Sequence, residues 1–515
     1  MKNLTKTFLV IYIAIMCVAV ACKKDEPTPT PITPPVVTTK SSAKDITKFS
    51  FAALSPAIDA TIDATNKTIS ATVPAATDVS KLVPTITVSD KATISPATGV
   101  AQDFSKEVSY TVTAEDGSTM VWKVGVKIAI SIATTKIIDC NNIPEVWEDL
   151  GDGVDYIVKC SLKFSDSKVY TIKPGVKIQF DNGDAGFEIS NSAAIKMIGT
   201  ASKPIVLEGS TATSGFWNGV FLSAVNLENQ WEYVTLRHAG AKQKAGLMVD
   251  GYKESKIGIT NCIFSDNTGY GIRVGADGLS SNWYTNCKFS AFSNNLFANN
   301  TKSAVRIHYS QWGTLDSKSD YQNNGQKYIE IFRSSIDNYD AVLDGALTIQ
   351  KLNVPYRVFG VLTPNEGFIF SKGTEIQFAT DSGIFLKEND KNAFITASGT
   401  ANEPIKFVGY ISDTKGVWAG LSAQNGNIGT KFNYCIIDGA GSSAEPFFCV
   451  PKASKAAIYL GLEYYCSPIA SKGTITNCTI SNSGGYGIAY RSGDPITVKD
   501  NSFSNLTKED VYLFK

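Results

Sequence analysis

The sequence predicts an all-β protein in which a small β-sandwich precedes a long parallel β-helix. Three observations carry this. Between about Lys44 and Ile130, short runs alternate apolar and polar residues, as in Thr47-Lys-Phe-Ser-Phe51 and Lys67-Thr-Ile-Ser-Ala-Thr-Val73. Alternation with period two marks a half-buried strand. From about Lys136 onward, similar phrases return at coil-length steps: Gly219-Val-Phe-Leu222, Gly246-Leu-Met-Val249 and Gly271-Ile-Arg-Val274. Finally, whole groups of these phrases are written twice, and no amphipathic stretch of helical length interrupts them.

The chain begins with an address. Lys2 and Lys6 precede the apolar run Phe8 to Ala21, which is too short to span a bilayer and reads as the core of a signal peptide. It ends in Ala19-Val20-Ala21-Cys22, which resembles the lipobox of bacterial lipoproteins. That resemblance implies a signal peptide over 1–21 and a lipid on Cys22; a plain secretory signal beside a coincidental cysteine is the other reading. Residues 22–42 carry Lys23-Lys-Asp-Glu26 and then Pro27-Thr-Pro-Thr-Pro-Ile-Thr-Pro-Pro-Val-Val-Thr-Thr-Lys40. The prolines keep this stretch extended, so it reads as a stalk. The charged residues after the cysteine are similar to those of surface-exported lipoproteins of the Bacteroidota. This implies a lipid anchor in the outer membrane, facing outward.

Residues 43–132 form the sandwich. Their best hairpin joins Val108-Ser-Tyr-Thr-Val-Thr-Ala114 to Met120-Val-Trp-Lys-Val-Gly-Val126, with Asp116-Gly117 in the turn. The Pro84-Thr-Ile-Thr-Val-Ser89 strand, the Ile94-Ser-Pro-Ala-Thr-Gly99 turn and that hairpin resemble the immunoglobulin-like domains that follow the stalk in Bacteroidota surface lipoproteins. A spacer role is what the resemblance implies, with an independent binding module as the alternative.

Residues 136–515 carry the repeat. Units of 20 to 50 residues signal a solenoid, and Val, Ile, Thr, Phe and Tyr separated by Gly, Asn and Ser make the units β. Thr260-Asn-Cys-Ile-Phe264 and Thr285-Asn-Cys-Lys-Phe289 suggest ladders of Asn261 over Asn286 and Cys262 over Cys287. On the longer scale, Ile178-Gln-Phe180 matches Ile376-Gln-Phe378, and Gly199-Thr-Ala-Ser-Lys-Pro-Ile205 matches Gly399-Thr-Ala-Asn-Glu-Pro-Ile405. Trp217-Asn-Gly-Val220 matches Trp418-Ala-Gly-Leu421, and Thr260-Asn-Cys262 returns as Thr476-Asn-Cys478. The offset grows from 198 residues at the first token to 216 at the last. Two copies follow, about 136–340 and 341–515, with an insertion near 441–471 in the second. The "GTA..PI" and "W.G" tokens, with Gln311-Trp-Gly-Thr314, resemble those of right-handed parallel β-helix proteins of pectin-lyase-like architecture. The resemblance covers about three-quarters of the chain and specifies fold more than activity.

Charge and composition exclude some functions. Lys+Arg and Asp+Glu balance at 48 each, which gives no general attraction to nucleic acid. The two histidines, His238 and His308, cannot build a multi-histidine zinc site, and no cofactor or metal is implied. Catalytic motifs of polysaccharide hydrolases and the Gly-rich calcium repeat are missing. Arg237-His238 is the best local pair for chemistry, against a plain role in a surface salt bridge or coil stack. Asp181 and Asp184 could hold a cation or only solvate a turn.

Aromatic residues offer another route, because sugar rings stack on exposed aromatic faces. Trp283, Tyr284 and Trp312 are candidates, as are Tyr464 and Tyr465 in the insertion beside Phe447, Phe448 and Tyr459. Trp217 and Trp418 recur before a Gly, which also suits a packed corner. In an oxidising compartment Cys449 with Cys466, and Cys140 with Cys160, could each close a loop. The expected function is non-catalytic binding or adhesion at the cell surface, with polysaccharide as the partner. A polysaccharide lyase or glycosidase of an unrecognised kind, or a structural surface protein without a ligand, are the alternatives. The anchor is directly testable: Cys22→Ala leaves the precursor unlipidated, and metabolic labelling with a fatty acid shows no incorporation while the wild-type chain is labelled.

Overall fold

Alternation puts every second side chain on one side of a sheet, and in the N-terminal stretch this yields two sheets around one core. In a computed structural model, the described residues are 39–74, 77–129, 135–250, 254–275, 287–333, 342–387, 390, 392–424, 429–442, 455–461 and 470–515. The chain divides after Ala129 into two units.

In the first unit, a three-stranded sheet has Ile46–Phe51 at its centre, and a five-stranded sheet has Thr68–Val73, Thr119–Ile128 and Val108–Thr113 at its centre. The hairpin pairs Tyr110 with Trp122, and Gly117 takes a φ of 88° in its turn. The inward set is Phe49, Phe51, Phe104, Tyr110 and Trp122, all buried. Phe104 meets Phe51 edge-on at 5.3 Å, and Phe49 meets Tyr110 at 5.7 Å. Such T-shaped contacts are the favoured geometry of aromatic pairs.

In the second unit, all strand pairings among the described residues are parallel, each strand lying on its counterpart in the next coil. One 13-stranded sheet runs from Ser161–Phe164 to Ser502–Ser504. A six-stranded and an eight-stranded sheet complete the N-terminal half, and two six-stranded sheets complete the C-terminal half. The two copies enter this scaffold one strand out of phase. Lys177–Phe180 lies in the eight-stranded sheet, whereas its counterpart Glu375–Phe378 lies in the 13-stranded one. Gly219–Ala224 lies in the 13-stranded sheet, and its counterpart Gly420–Ala423 lies in a C-terminal sheet.

The duplicated tokens turn out to be corner hardware. Trp217 stacks on Phe180 at 3.9 Å, and its indole N–H donates to the Arg237 carbonyl at 2.8 Å. Trp418 does the same with Phe378 at 4.1 Å and the Asp438 carbonyl at 2.7 Å. Both tryptophans are fully buried. The glycine two residues on has positive φ in each copy, 99° at Gly219 and 120° at Gly420. A Cβ there would sit 2.8 Å from a carbonyl oxygen of the next coil. Only glycine meets both demands.

The expected ladder of Cys262 over Cys287 is not found. Lys288–Ser293 pairs with Lys256–Thr260, so Cys287 sits before that strand and the corner falls at Asn294 and Asn295. Asn286 lies outside the described residues. The Asn295 side chain accepts from the Cys262 N–H at 3.0 Å and donates to the Ile259 carbonyl at 3.1 Å. The coil is 33 residues long there, so the 25-residue echo in the sequence is out of register. The second copy repeats the true arrangement: Asn501 accepts from the Cys478 N–H at 2.9 Å and donates to the Ile475 carbonyl at 2.9 Å.

Part of the stretch near 441–471 is regular. Ala456–Leu460 is a coil strand between Gly420–Ala423 and Tyr486–Arg491, so the extra residues flank it. Near the start of the unit, a disulfide joins Cys140 to Cys160.

A buried amide ladder spans three coils. Asn267 donates to Asn300 at 2.9 Å, and Asn300 donates to Asn324 at 2.8 Å and to the Phe264 carbonyl at 3.0 Å. Each buried group stranded by Asn300→Ala costs about 1–3 kcal/mol. Chemical denaturation of that variant is expected to show a lower midpoint. The exposed substitution Lys318→Ala changes stability by only about 0.5 kcal/mol.

Candidate functional site

Outward residues of the 13-stranded sheet form a row across successive coils, because parallel register places like positions above one another. Arg273, Arg306, Glu330, Arg357 and Gln377 pair in that order. Arg273 is buried, its Nε donating to the Gly275 carbonyl at 3.0 Å, so Arg306 and Arg357 are the arginines that flank Glu330 in the row. Arg306 Nε donates to Glu330 Oε1 at 2.6 Å, and the Tyr270 hydroxyl donates to Oε2 at 2.9 Å. Burial, reinforced by Glu330, raises the Tyr270 hydroxyl above its ordinary value and keeps it a donor. Both oxygens of Glu330 are therefore engaged, which leaves this carboxylate poorly placed to move a proton.

Arg357 is held more openly. Its Nε and Nη2 donate to Gln377 Oε1 at 3.2 and 2.7 Å. Its guanidinium lies 3.9 Å over the Tyr328 ring and 5.6 Å from the ring of Tyr410, which is 42% exposed. Stacking and bidentate bonding fix the guanidinium plane. A separate groove of about 460 Å³ is lined by Asn299, Thr301, Gln322, Asn323 and Lys327. Lys327, at the edge of the groove, precedes Tyr328 in the chain. Amides offer donors and acceptors together, and the exposed Tyr410 ring offers a flat apolar face.

Most sequence-predicted residues lie elsewhere. Trp312, expected to present an exposed face, is fully buried. The 3-10 turn Tyr309–Thr314 stands between two coil strands and drops the indole into the core, 5.3 Å from Tyr356 and 5.6 Å from both Phe368 and Phe370. Tyr459 is buried and stacks on Phe514 at 5.0 Å. Trp283, Tyr284, Phe447, Phe448, Tyr464, Tyr465, Cys449, Cys466 and Cys22 lie outside the described residues.

Asp181 pairs with Lys159 at 3.4 Å, and Asp184 pairs with Lys242. Among the described residues no cluster of acids, His or Cys could hold a metal ion. Arg237 binds Glu208, with Nε at 2.8 Å and Nη2 at 2.5 Å, which is the coil-stacking role. His238 takes a φ of 65° at the following corner, and burial lowers its pKa.

Arg357, Tyr328, Gln377 and Tyr410 were not singled out from sequence. The alternation in Tyr356-Arg-Val-Phe359 does point Arg357 outward. Gln377 was read only as part of the Ile376-Gln-Phe378 token, and no token repeats around Tyr328 and Arg357.

Comparisons with known proteins bear on the two units separately. Residues 46–126 match the family model described as SGBP, N-terminal, and residues 452–515 match the right-handed β-helix region. The second unit is a right-handed parallel β-helix. No curated protein matches the chain. Among solved structures, a candidate glycoside hydrolase from Bacteroides thetaiotaomicron aligns at 30% identity over 19% of this chain, with a TM-score of 0.16. The chain spans 28% of that protein's length. A candidate secreted protein from Bacteroides fragilis aligns at 24% identity over 17% of this chain and 95% of its own, with a TM-score of 0.15.

The Glu208 cluster generates a pH prediction. Burial pushes this carboxyl up, but hydrogen bonds from Lys177, Arg237 and Gln179 together hold it below its ordinary 4.5. A depressed pKa contributes stability above the unfolded value and loses it as pH falls through the folded one. The stability gap between the wild-type chain and Glu208→Gln is expected to be full at neutral pH and to shrink below pH 4.5. Urea unfolding across that range measures it.

Proposed function

We propose that this chain is a cell-surface glycan-binding lipoprotein of the Bacteroidota type, held in the outer membrane by a lipid on Cys22. Its β-helix binds polysaccharide without cleaving it. The observation that carries this is the match of residues 46–126 to the N-terminal domain of surface glycan-binding proteins. Proteins of that family are surface-associated in the Bacteroidota. In this reading the first unit serves as a spacer.

Within the β-helix, the groove at Gln322–Lys327 and the Tyr328–Arg357–Tyr410 stack supply what a sugar chain requires. Amides answer ring hydroxyls, a tyrosine face answers the ring's C–H side, and the Arg357 guanidinium favours carboxylated or sulfated units. Nothing in the row supplies the free acid and base that glycoside cleavage needs.

A glycan array probed with residues 43–515 tests this. Binding to at least one acidic polysaccharide is expected, weakened about tenfold in Arg357→Ala and in Tyr410→Ala. No new reducing ends or unsaturated products accumulate on incubation. Absence of binding across the array, or release of product, contradicts the proposal.

A further inference from the structure

A solenoid of evenly stacked coils has no concavity of its own; one opens where a stack is interrupted. Here the interruption accompanies the change of phase between the two copies. The six-stranded sheet of the N-terminal half ends at Lys288–Ser293. The 3-10 turn Tyr309–Thr314 packs against that strand, and also against Leu347–Ile349, where a new six-stranded sheet begins. Between them lies a cleft of about 510 Å³ whose lining includes Glu254, Lys288, Phe289, Gln311, Asp344 and Thr348.

We propose that this cleft is a second binding site, for a neutral saccharide unit of one or two pyranose rings. Its polar groups are unspent: among the described residues, the side chains of Glu254, Lys288, Gln311 and Asp344 form no hydrogen bond or ion pair. Lys288 and Gln311 donate; Glu254, Asp344 and the Gln311 carbonyl accept. A sugar hydroxyl does both at once, so a mixed lining suits it better than an ion. One lysine against two carboxylates disfavours an anionic sugar, the opposite bias to Arg357. Half-buried Phe289 supplies an apolar face, and the volume lies in the range of small-molecule sites.

The lining is also preorganised. Trp312 pins the turn in the core, Tyr309 donates to the Thr363 carbonyl at 3.4 Å, and His308 Nδ1 accepts from the Ser310 N–H at 3.3 Å. Burial lowers the His308 pKa to about 3, so the ring stays neutral and this bond persists at physiological pH. Gln311 therefore projects from a rigid turn, which lowers the entropy cost of binding.

The cleft shares no residue with the arginine row, so the two sites succeed or fail separately. Isothermal titration of the full mature chain with cellotetraose, xylotetraose and mannotetraose tests the inference. At least one neutral probe is expected to bind. Gln311→Ala and Lys288→Ala each weaken it about tenfold without lowering the thermal midpoint, and a tryptophan in place of Ala346, which also lines the cleft, abolishes it (Ala346→Trp). Arg357→Ala leaves it intact. The inference is overturned if no neutral probe binds, or if the three cleft variants bind as the wild-type chain does. Loss of neutral binding in Arg357→Ala alone overturns it in favour of the row.

Discussion

Every coil of the β-helix must satisfy its backbone hydrogen bonds on the coil above and the coil below, in register. The rest of the structure depends on that constraint. A slip of one residue would turn each strand's apolar set outward, so register has to be enforced at the corners, where the ladder is weakest. The corners accordingly carry the most specific chemistry in the chain. Asn267, Asn300 and Asn324 exchange amide bonds through the interior. Asn295 and Asn501 tie down equivalent corners in the two copies. Trp217 and Trp418 lock a side chain and a backbone carbonyl at once.

This explains which parts of the fold were legible in the sequence. Strand alternation and coil-length spacing follow from burial, and burial follows from side-chain type, so the sandwich and the solenoid could be read directly. The duplicated tokens could be seen, and each proves to be scaffold. Phase was not legible. Nothing in Ile376-Gln-Phe378 tells that it stacks in a different sheet from Ile178-Gln-Phe180, because in-register stacking is equally satisfied on either face. Cys287 misled for a related reason: a local echo of Thr260-Asn-Cys262 fell 25 residues on, while the coil there is 33 residues long. Exposure was illegible at Trp312 as well, since a turn that replaces a strand sends its large side chain inward.

Function follows the same division. What both copies keep is bound by the register constraint, and what only one place has is free to vary. Tyr328, Arg357 and the Gln322–Lys327 groove lie near the join of the copies, where the alignment between them lapses, whereas Tyr410 lies inside the second copy. Arg237, Asp181 and Asp184 each answer an opposite charge on another coil. Arg357 differs: the Gln377 amide oxygen and the Tyr328 ring hold it. An arginine flanked by two tyrosines suits an anionic or polyhydroxylated chain, and residues 46–126 match the family model described as SGBP, N-terminal.

The most direct measurement is a crystal structure of the chain with the glycan that it prefers. The account predicts an intact sugar chain on the outer face of the 13-stranded sheet, between the Gln322–Lys327 groove and Tyr410, with Arg357 in contact. A glycan bound only to residues 46–126, or one cleaved where it crosses the sheet, would contradict it.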